Sequence, residues 1–297
     1  MLEFHTLDVF TKDAYAGNPL AVVLGADGLS TARMQTIARE FNLSETIFVQ
    51  TPDDAAHTAK VRIFFPTAEI PFAGHPTIGC AILLAEMLNP RGDFEVEITL
   101  EEVAGLVPVR VWREHGTSHA QFTAPVIPFA HDGTLPVQDV TARAFGLDAG
   151  DIGACGIWQG GPSFIYVPVT SRTALSKAKP EGADWAELTR LANSNSAYLY
   201  TQGENGGYSA RMFAPGDGIA EDPATGSASA ILAAQLLNAG DLEEGTNRIS
   251  LTQGVDMGRP SEIDLSVDVC GGKITAVRIG GAAVRISTGS LQPPLPE

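Results

Sequence analysis

Between Gly218 and Ala230 the chain reads GIAEDPATGSASA, two adjacent acids and a proline followed by Thr225, Gly226 and Ser227 and then an apolar run with helical spacing. One capping residue is enough for a helix N-terminus, so the surplus of acid and hydroxyl points to a ligand or a proton handled there. The unpaired amides of a first helical turn, with their partial positive charge, suit a carboxylate. A second stretch, GHPT at Gly74–Thr77, opens another apolar run, and NLSE places Glu45 at the head of a β-branched segment. Paired acids beside a histidine are the groups that proton transfer needs. Each residue also has a plain structural reading. Asp222 can serve as an N-cap, Glu45 as a solvated strand end, His75 as a core histidine bonded to a carbonyl, and Asn42 and Ser44 as turn formers.

Other chemistries find less support. Neither a GxGxxG nor a GxxxxGK[ST] pattern occurs, and none of the 6 histidines forms an HExxH pair. His115 and His119 stand in a polar stretch that reads as a solvated loop. Ser227 lacks the final glycine of a nucleophile elbow. Cys80 falls inside an apolar helix, where a thiol is inert packing. The chemistry that remains requires no metal, no cofactor and no covalent intermediate.

The elements that must hold these residues follow from a long-period repeat. RIFFPTAEI (62–70) recurs as RMFAPGDGI (211–219), and GHPTIGCAILLAEML (74–88) as DPATGSASAILAAQL (222–236), at offsets of 149 and 148. AGNPLAVVL (16–24) is echoed more loosely by QGGPSFIYV (159–167). A duplicated two-lobe protein explains all three matches. Aligned in this way, Thr77 pairs with Thr225, Gly74 with Asp222, and Glu45 with Ser196, so each acid is peculiar to one lobe. Purely structural residues of a duplicated fold would more often persist in both.

Within a lobe, strands such as NPLAVVL, SETIFVQ and HTAKVRIFF alternate with helices at TARMQTIAREFN, at 76–89, at ADWAELTRLANSN and at 223–239. Helices 76–89 and 223–239 are apolar on every face, so both must be enclosed. Gly240 ends the second, and each has a proline at or near its first turn. The economical architecture is α+β: two pseudo-symmetric lobes, each a curled antiparallel sheet or barrel around a central apolar helix. The first lobe takes residues 1–124, joined by the C-terminal segment 284–297, and the second takes 125–283. Their two helix mouths then most simply share a cleft that holds a small acid.

The 297 residues, 44% of them hydrophobic, carry 3 cysteines and a formal charge of −16 with few lysines. That charge opposes binding to nucleic acid and to anionic membranes. The cysteines show no paired spacing, and MLEFHTLDVF reads as a strand rather than a leader, so a reducing, cytoplasmic setting is expected.

The series DVFTKDAYAGNPLAVVL, NLSETIFV, RIFFPTAEIPFAGHPTIGCA, RMFAPGDGIAEDPATGSASA and QGVDMGRPSEI resembles the phenazine-biosynthesis PhzF-like isomerase family of the diaminopimelate epimerase fold, and does so over nearly the whole chain. The resemblance implies a homodimer of two-barrel chains. It also implies a cofactor-independent isomerase in which Glu45, His75, Asp222 and Ser227 are catalytic. Asn18, Ser44, Gly74, Thr225 and Gly226 complete the substrate site for a small cyclic or conjugated carboxylic acid. The epimerase relatives use a cysteine at each helix mouth, and here those positions are Gly74 and Asp222. Two other functions stay open at this point: an epimerase or racemase of an amino or hydroxy acid, and a small-acid binding protein without turnover.

Overall fold

The computed structural model describes residues 1–203 and 206–295. Contacts divide the chain into two compact units, Met1–Thr123 with Gly280–Glu297, and Ala124–Ile279. The first contains β1 (Leu2–Val9), β2 (Asn18–Val23), α1 (Thr31–Phe41), β3 (Glu45–Gln50), β4 (Ala59–Phe64), β5 (Glu69–Ile70), α2 (Gly74–Leu88), β6 (Phe94–Glu102), β7 (Gly105–Glu114) and β8 (Thr117–Thr123). The second contains β9 (Phe129–Ala130), α3 (Gln138–Arg143), β10 (Gly156–Gln159), β11 (Ser163–Pro168), α4 (Arg172–Lys177), α5 (Gly182–Ala192), β12 (Ala197–Gln202), β13 (Tyr208–Ala214), β14 (Ile219–Asp222), α6 (Gly226–Ala239), β15 (Gly245–Gln253) and β16 (Ser261–Cys270). The long strand β17 (Lys273–Leu291) contributes residues to both.

In the first unit β1, β2, β3, β4, β6, β7, β8 and β17 pair in that order, and β17 pairs back with β1, so the sheet closes into a barrel with no open edge. The second unit repeats the order with β10, β11, β12, β13, β15 and β16. Most pairs are antiparallel, as the α+β reading expects. Two pairs in each unit are parallel instead: β2–β3 and β4–β6, then β11–β12 and β13–β15. Parallel neighbours require a long crossover. Here α1 and α5 cross on the outer face, while α2 and α6 cross through the middle of the sheet.

The crossing helices show why they must be enclosed. Every residue of α2 from Gly74 to Leu83 is buried, and exposure returns only at its end, where Met87 and Leu88 are 47% and 66% exposed. From Ala228 to Leu236 α6 is likewise wholly buried. The outer helices bury one face each, α1 through Met34, Ile37 and Ala38 against Phe48 and Phe64. On the second unit α3, α4 and α5 cover Val167, Leu199 and Phe213. Gly240 ends α6 in the left-handed region at φ 81°.

The helix starts differ from the sequence reading. α2 begins at Gly74, two residues before the expected Pro76, and α6 begins at Gly226, three residues after the expected Pro223. Pro76 sits in the first turn, where its missing N–H is tolerated. Pro223 lies outside its helix, because a residue before proline is driven to extended geometry and Asp222 therefore closes β14. The His115–His119 stretch is also not all loop: His119 belongs to β8 and stacks on Trp112 with ring centroids 5.5 Å apart.

Gly79 lets α2 lie against the barrel wall. A Cβ there would stand 2.6 Å from Leu20 Cδ2 and 2.7 Å from Val9 Cγ2. Gly79→Val should therefore overpack the core and cost about 1–3 kcal/mol. A urea midpoint equal to the parent's would show that the wall yields freely.

Candidate active site

In the first unit three chain segments converge. α1 ends at Asn42, held in the left-handed region at φ 51° and ψ 33°, which asparagine tolerates because its short side chain bonds locally. The chain then passes half-buried Ser44 and enters β3 at Glu45, opposite Leu20 of the parallel strand β2. Fully buried Asn18 opens β2 across from Val9, and the Pro19 carbonyl that follows bonds to His75. Gly74 and His75 form the first turn of α2. The structure thus brings Asn18, Ser44, Glu45, Gly74 and His75 together at one end of one barrel.

Glu45 Oε2 and His75 Nδ1 lie 3.4 Å apart, with both side chains at most 10% exposed. Burial pushes the His75 imidazolium down to about 3, while the Pro19 carbonyl pulls the other way. The ring is therefore neutral, and its approach to Glu45 is not an ion pair. His75 Nε2 is buried and has no hydrogen-bond partner among the described residues. A histidine serving only to fill the core would have both nitrogens satisfied. The arrangement sets a buried carboxyl group beside a neutral imidazole whose unpartnered Nε2 can accept a hydrogen bond. The amides of Gly74 and His75 have no acceptor within the helix, and Pro76 removes the next donor.

In the second unit Glu221 and Asp222 part company. Successive residues of a strand point to opposite faces. Glu221 turns to Arg211, whose Nε and Nη2 each donate to it at 2.8 Å. Arg211 Nη1 also donates to the carbonyls of Leu175, Ser176 and Ala178, which ties down the end of α4. One of the two acids is thus accounted for structurally.

Asp222 is buried and accepts the Thr225 hydroxyl at 2.5 Å. It is not the helix cap. The N-cap residue is Thr225, and no side chain caps the helix. A residue without a role in the sequence reading, Gln253, organises this mouth. Its Nε2 donates to the Asp222 carbonyl at 2.7 Å and to Thr225 Oγ1 at 3.0 Å, and its Oε1 accepts the Thr225 amide at 3.2 Å. Gly254 makes the reach possible, because at φ 74° a Cβ would stand 2.4 Å from the Arg259 carbonyl and 2.6 Å from that of Pro223. Thr225 was expected to aim its amide at a ligand, but both its amide and its hydroxyl are engaged within the unit. Gly226 and half-buried Ser227 keep first-turn amides directed outward from the helix. The only forewarning of Gln253 in the sequence is its place at the head of QGVDMGRPSEI.

The repeat extends to clamps that sequence alignment does not reveal. Arg62 makes the same two-pronged contact with Glu69, at 2.7 and 2.6 Å, that Arg211 makes with Glu221. The first pair is 7 residues apart and the second 10. Each guanidinium also lies over the phenylalanine two residues on, Phe64 or Phe213. Cys80 is fully buried, and burial raises its thiol far above the usual range, which is the behaviour of packing. Among the described residues no cluster of three or more His, Cys, Asp or Glu side chains is arranged for a metal, and no helix is long and apolar enough to cross a membrane.

Comparison with known proteins places these features in a family. Residues 7–289 match the family of phenazine biosynthesis-like proteins. An uncharacterised isomerase of Mesorhizobium japonicum is 40% identical over 294 residues, covering 96% of each chain. Trans-2,3-dihydro-3-hydroxyanthranilate isomerase of Pseudomonas aeruginosa is 34% identical, covering 97% of this chain and 99% of its own. Among solved structures, a Bacillus anthracis phenazine biosynthesis protein of the PhzF family superposes with a TM-score of 0.83 at 24% identity, over 98% of this chain and 99% of its own.

The neutral state of His75 has a consequence for stability. A histidine lowered on folding stabilises the fold fully above its unfolded value of 6.5 and loses that contribution as pH falls toward about 3. The stability advantage of the parent over His75→Gln should therefore shrink between about pH 7 and pH 4.5. An advantage that stays constant in urea titrations at both pH values would mean that the ring charges in place.

Proposed function

Because the chain belongs to the phenazine biosynthesis-like family, and is an isomerase of that family, we propose that it shifts a proton along a small conjugated carboxylic acid, with Glu45 as the base. The observation that carries this reading is the buried approach of Glu45 Oε2 to His75 Nδ1 at 3.4 Å, with the acid peculiar to one half of the repeat. A carboxylate that is 10% exposed is shielded from water, so its basicity is available to a bound C–H. Glu45 takes the proton from one carbon, the electron pair moves through the conjugated system, and the proton returns at another carbon. Nothing is oxidised or reduced, and the proton balance closes on Glu45 itself.

With its one N–H given to the Pro19 carbonyl, the neutral imidazole of His75 presents Nε2 as an acceptor for an O–H or N–H of the substrate. First-turn amides at Gly226 and Ser227 suit a carboxylate. Asp222, oriented by Thr225 beside those amides, can accept a hydrogen bond or relay a proton. The substrate of the Pseudomonas aeruginosa relative, trans-2,3-dihydro-3-hydroxyanthranilate, is of this chemical class and is the first compound to try.

Glu45→Gln should fold normally and bind ligand but turn over about 10²–10⁴-fold more slowly. Turnover in deuterated water, followed by NMR, checks the reaction type. The substrate C–H should reappear at a new carbon, carrying deuterium to the extent that Glu45 exchanges its proton with solvent, whereas inversion of one centre without a shift would make the protein an epimerase. A Glu45→Gln rate near the parent's would remove Glu45 from the mechanism.

Asp222→Asn retains an oxygen that can accept the Thr225 hydroxyl, so its fold should persist. A bound carboxylate and Asp222 repel each other in a dry site. The variant should accordingly hold anthranilate as well as the parent, or better, and turn over substrate more slowly. Calorimetric titration showing much weaker binding by a folded variant would make Asp222 a direct ligand contact instead.

A further inference from the structure

Glu102 closes β6 beneath the mouth of α2, and the proposed mechanism does not use it. It is buried, and its Oε1 lies 2.7 Å from Thr77 Oγ1. The Thr77 hydroxyl is also 2.7 Å from the carbonyl of Ala73, the residue that caps α2. A hydroxyl has one proton and can donate it once. If Thr77 gives it to Ala73, the contact with Glu102 requires that Glu102 be the donor.

The second unit shows the same chain of contacts with its protons assigned by chemistry. Gln253 Nε2 donates to Thr225 Oγ1, and the Thr225 hydroxyl donates onward to Asp222. Thr225 is the repeat partner of Thr77. The strand positions match as well: Ala210 of β13 stands beside Gln253, and Ala59 of β4 stands beside Leu100, which sets Val61, the repeat counterpart of Ala210, beside Glu102. A carboxyl thus occupies the place where the other unit has an amide. Glu102 Oε2 is buried and has no hydrogen-bond partner among the described residues, so a charge on this carboxyl would be costly.

We propose that Glu102 is a positioning residue for the α2 mouth that works as the neutral acid, its carboxyl O–H donating to Thr77 as Gln253 donates to Thr225. Thr77 is thereby left to fix the Ala73 carbonyl, and with it the turn that carries Gly74 and His75. The role in catalysis rests on the reading of His75 as a site residue; the protonation state does not.

The charged neighbours agree with this assignment. Lys60 and Arg62 of β4 share a surface recess with Glu102, but Lys60 is paired with Asp53 at 2.7 Å and Arg62 with Glu69. Adjacent Glu101 is engaged by His57 and by the amides of Asp53 and Asp54. On α2 the facing group is Cys80, a neutral buried thiol. Among the described residues no neighbouring cation is left to hold Glu102 ionised, and burial pushes its carboxyl up to about 8.

A carboxyl raised on folding stabilises the protein fully below its unfolded value of 4.5 and loses that contribution as pH rises through about 8. Glu102→Gln keeps the donor at every pH. Its urea midpoint should match the parent's near pH 4.5, exceed it increasingly up to about pH 8, and stay level above. This measurement uses no substrate. A gap that is flat across that range would overturn the proposal.

Turnover of trans-2,3-dihydro-3-hydroxyanthranilate supplies the second arm. Glu102→Gln should stay within about threefold of the parent at neutral pH and keep its rate above pH 8, where the parent declines. Glu102→Leu, which folds without a donor, should lose roughly tenfold in kcat with little change in KM. If Glu102→Gln is as impaired as Glu102→Leu, an ionised Glu102 is required and the positioning role is wrong. A parent inactive on this compound would count against the substrate reading alone, and the denaturation result would still stand.

Discussion

A helix threaded through the middle of a sheet cannot turn to water for its unsatisfied groups. That constraint governs α2 and α6. Their apolar faces are absorbed by barrel side chains, but the polar groups of their first turns must find partners in protein or ligand. In α6, Tyr166 donates to the Ala228 carbonyl, Tyr198 meets the Ser229 hydroxyl, and Gln253 holds the Thr225 amide. Those partners stop at the mouth, and the amides of Gly226 and Ser227 have no acceptor within the helix.

Duplication separates what the frame needs from what the chemistry needs. Both units keep an arginine gripped by a glutamate and laid over a phenylalanine, an asparagine in the left-handed region after the outer helix, and a threonine at the inner helix mouth. These features fix strand ends and helix entries, so either unit would suffer from their loss. The differences concentrate at the mouths. Glu45 faces Ser196 in the alignment, Gly74 faces Asp222, and Glu102 stands where the other unit has Gln253. Frame residues recur, and the acids of the two helix mouths do not.

Burial also sorts the acids of a strongly acidic chain. Two at the surface are drawn below their usual range, Glu95 by Arg110 and Glu101 by the amides of Asp53 and Asp54. At buried Glu102 and His75 desolvation is the larger effect, raising the first and lowering the second. One barrel end therefore holds a histidine that stays neutral well below the pH at which a solvated imidazole would charge.

The residues most legible in the sequence were those tied to local pattern. The all-apolar runs after Gly74 and Gly226 implied enclosed helices, the offset motifs implied a duplicated α+β chain, and NLSE, GHPT and EDPATGS marked Glu45, His75, Asp222 and Ser227 as candidates. What the sequence could not supply was the partner of each polar group. Glu221 and Asp222 are adjacent in the chain, but strand alternation sends one to Arg211 and the other to Thr225. Gln253 and Glu102 carry no local signature, because their roles depend on parallel pairings across helical crossovers. Gln253 also bonds the Asp222 carbonyl from 31 residues away, a partner that no local pattern announces. Periodicity is a property of neighbours along the chain and survives in one dimension. Hydrogen-bond partners and proton affinities depend on distances that exist only once the barrel has closed.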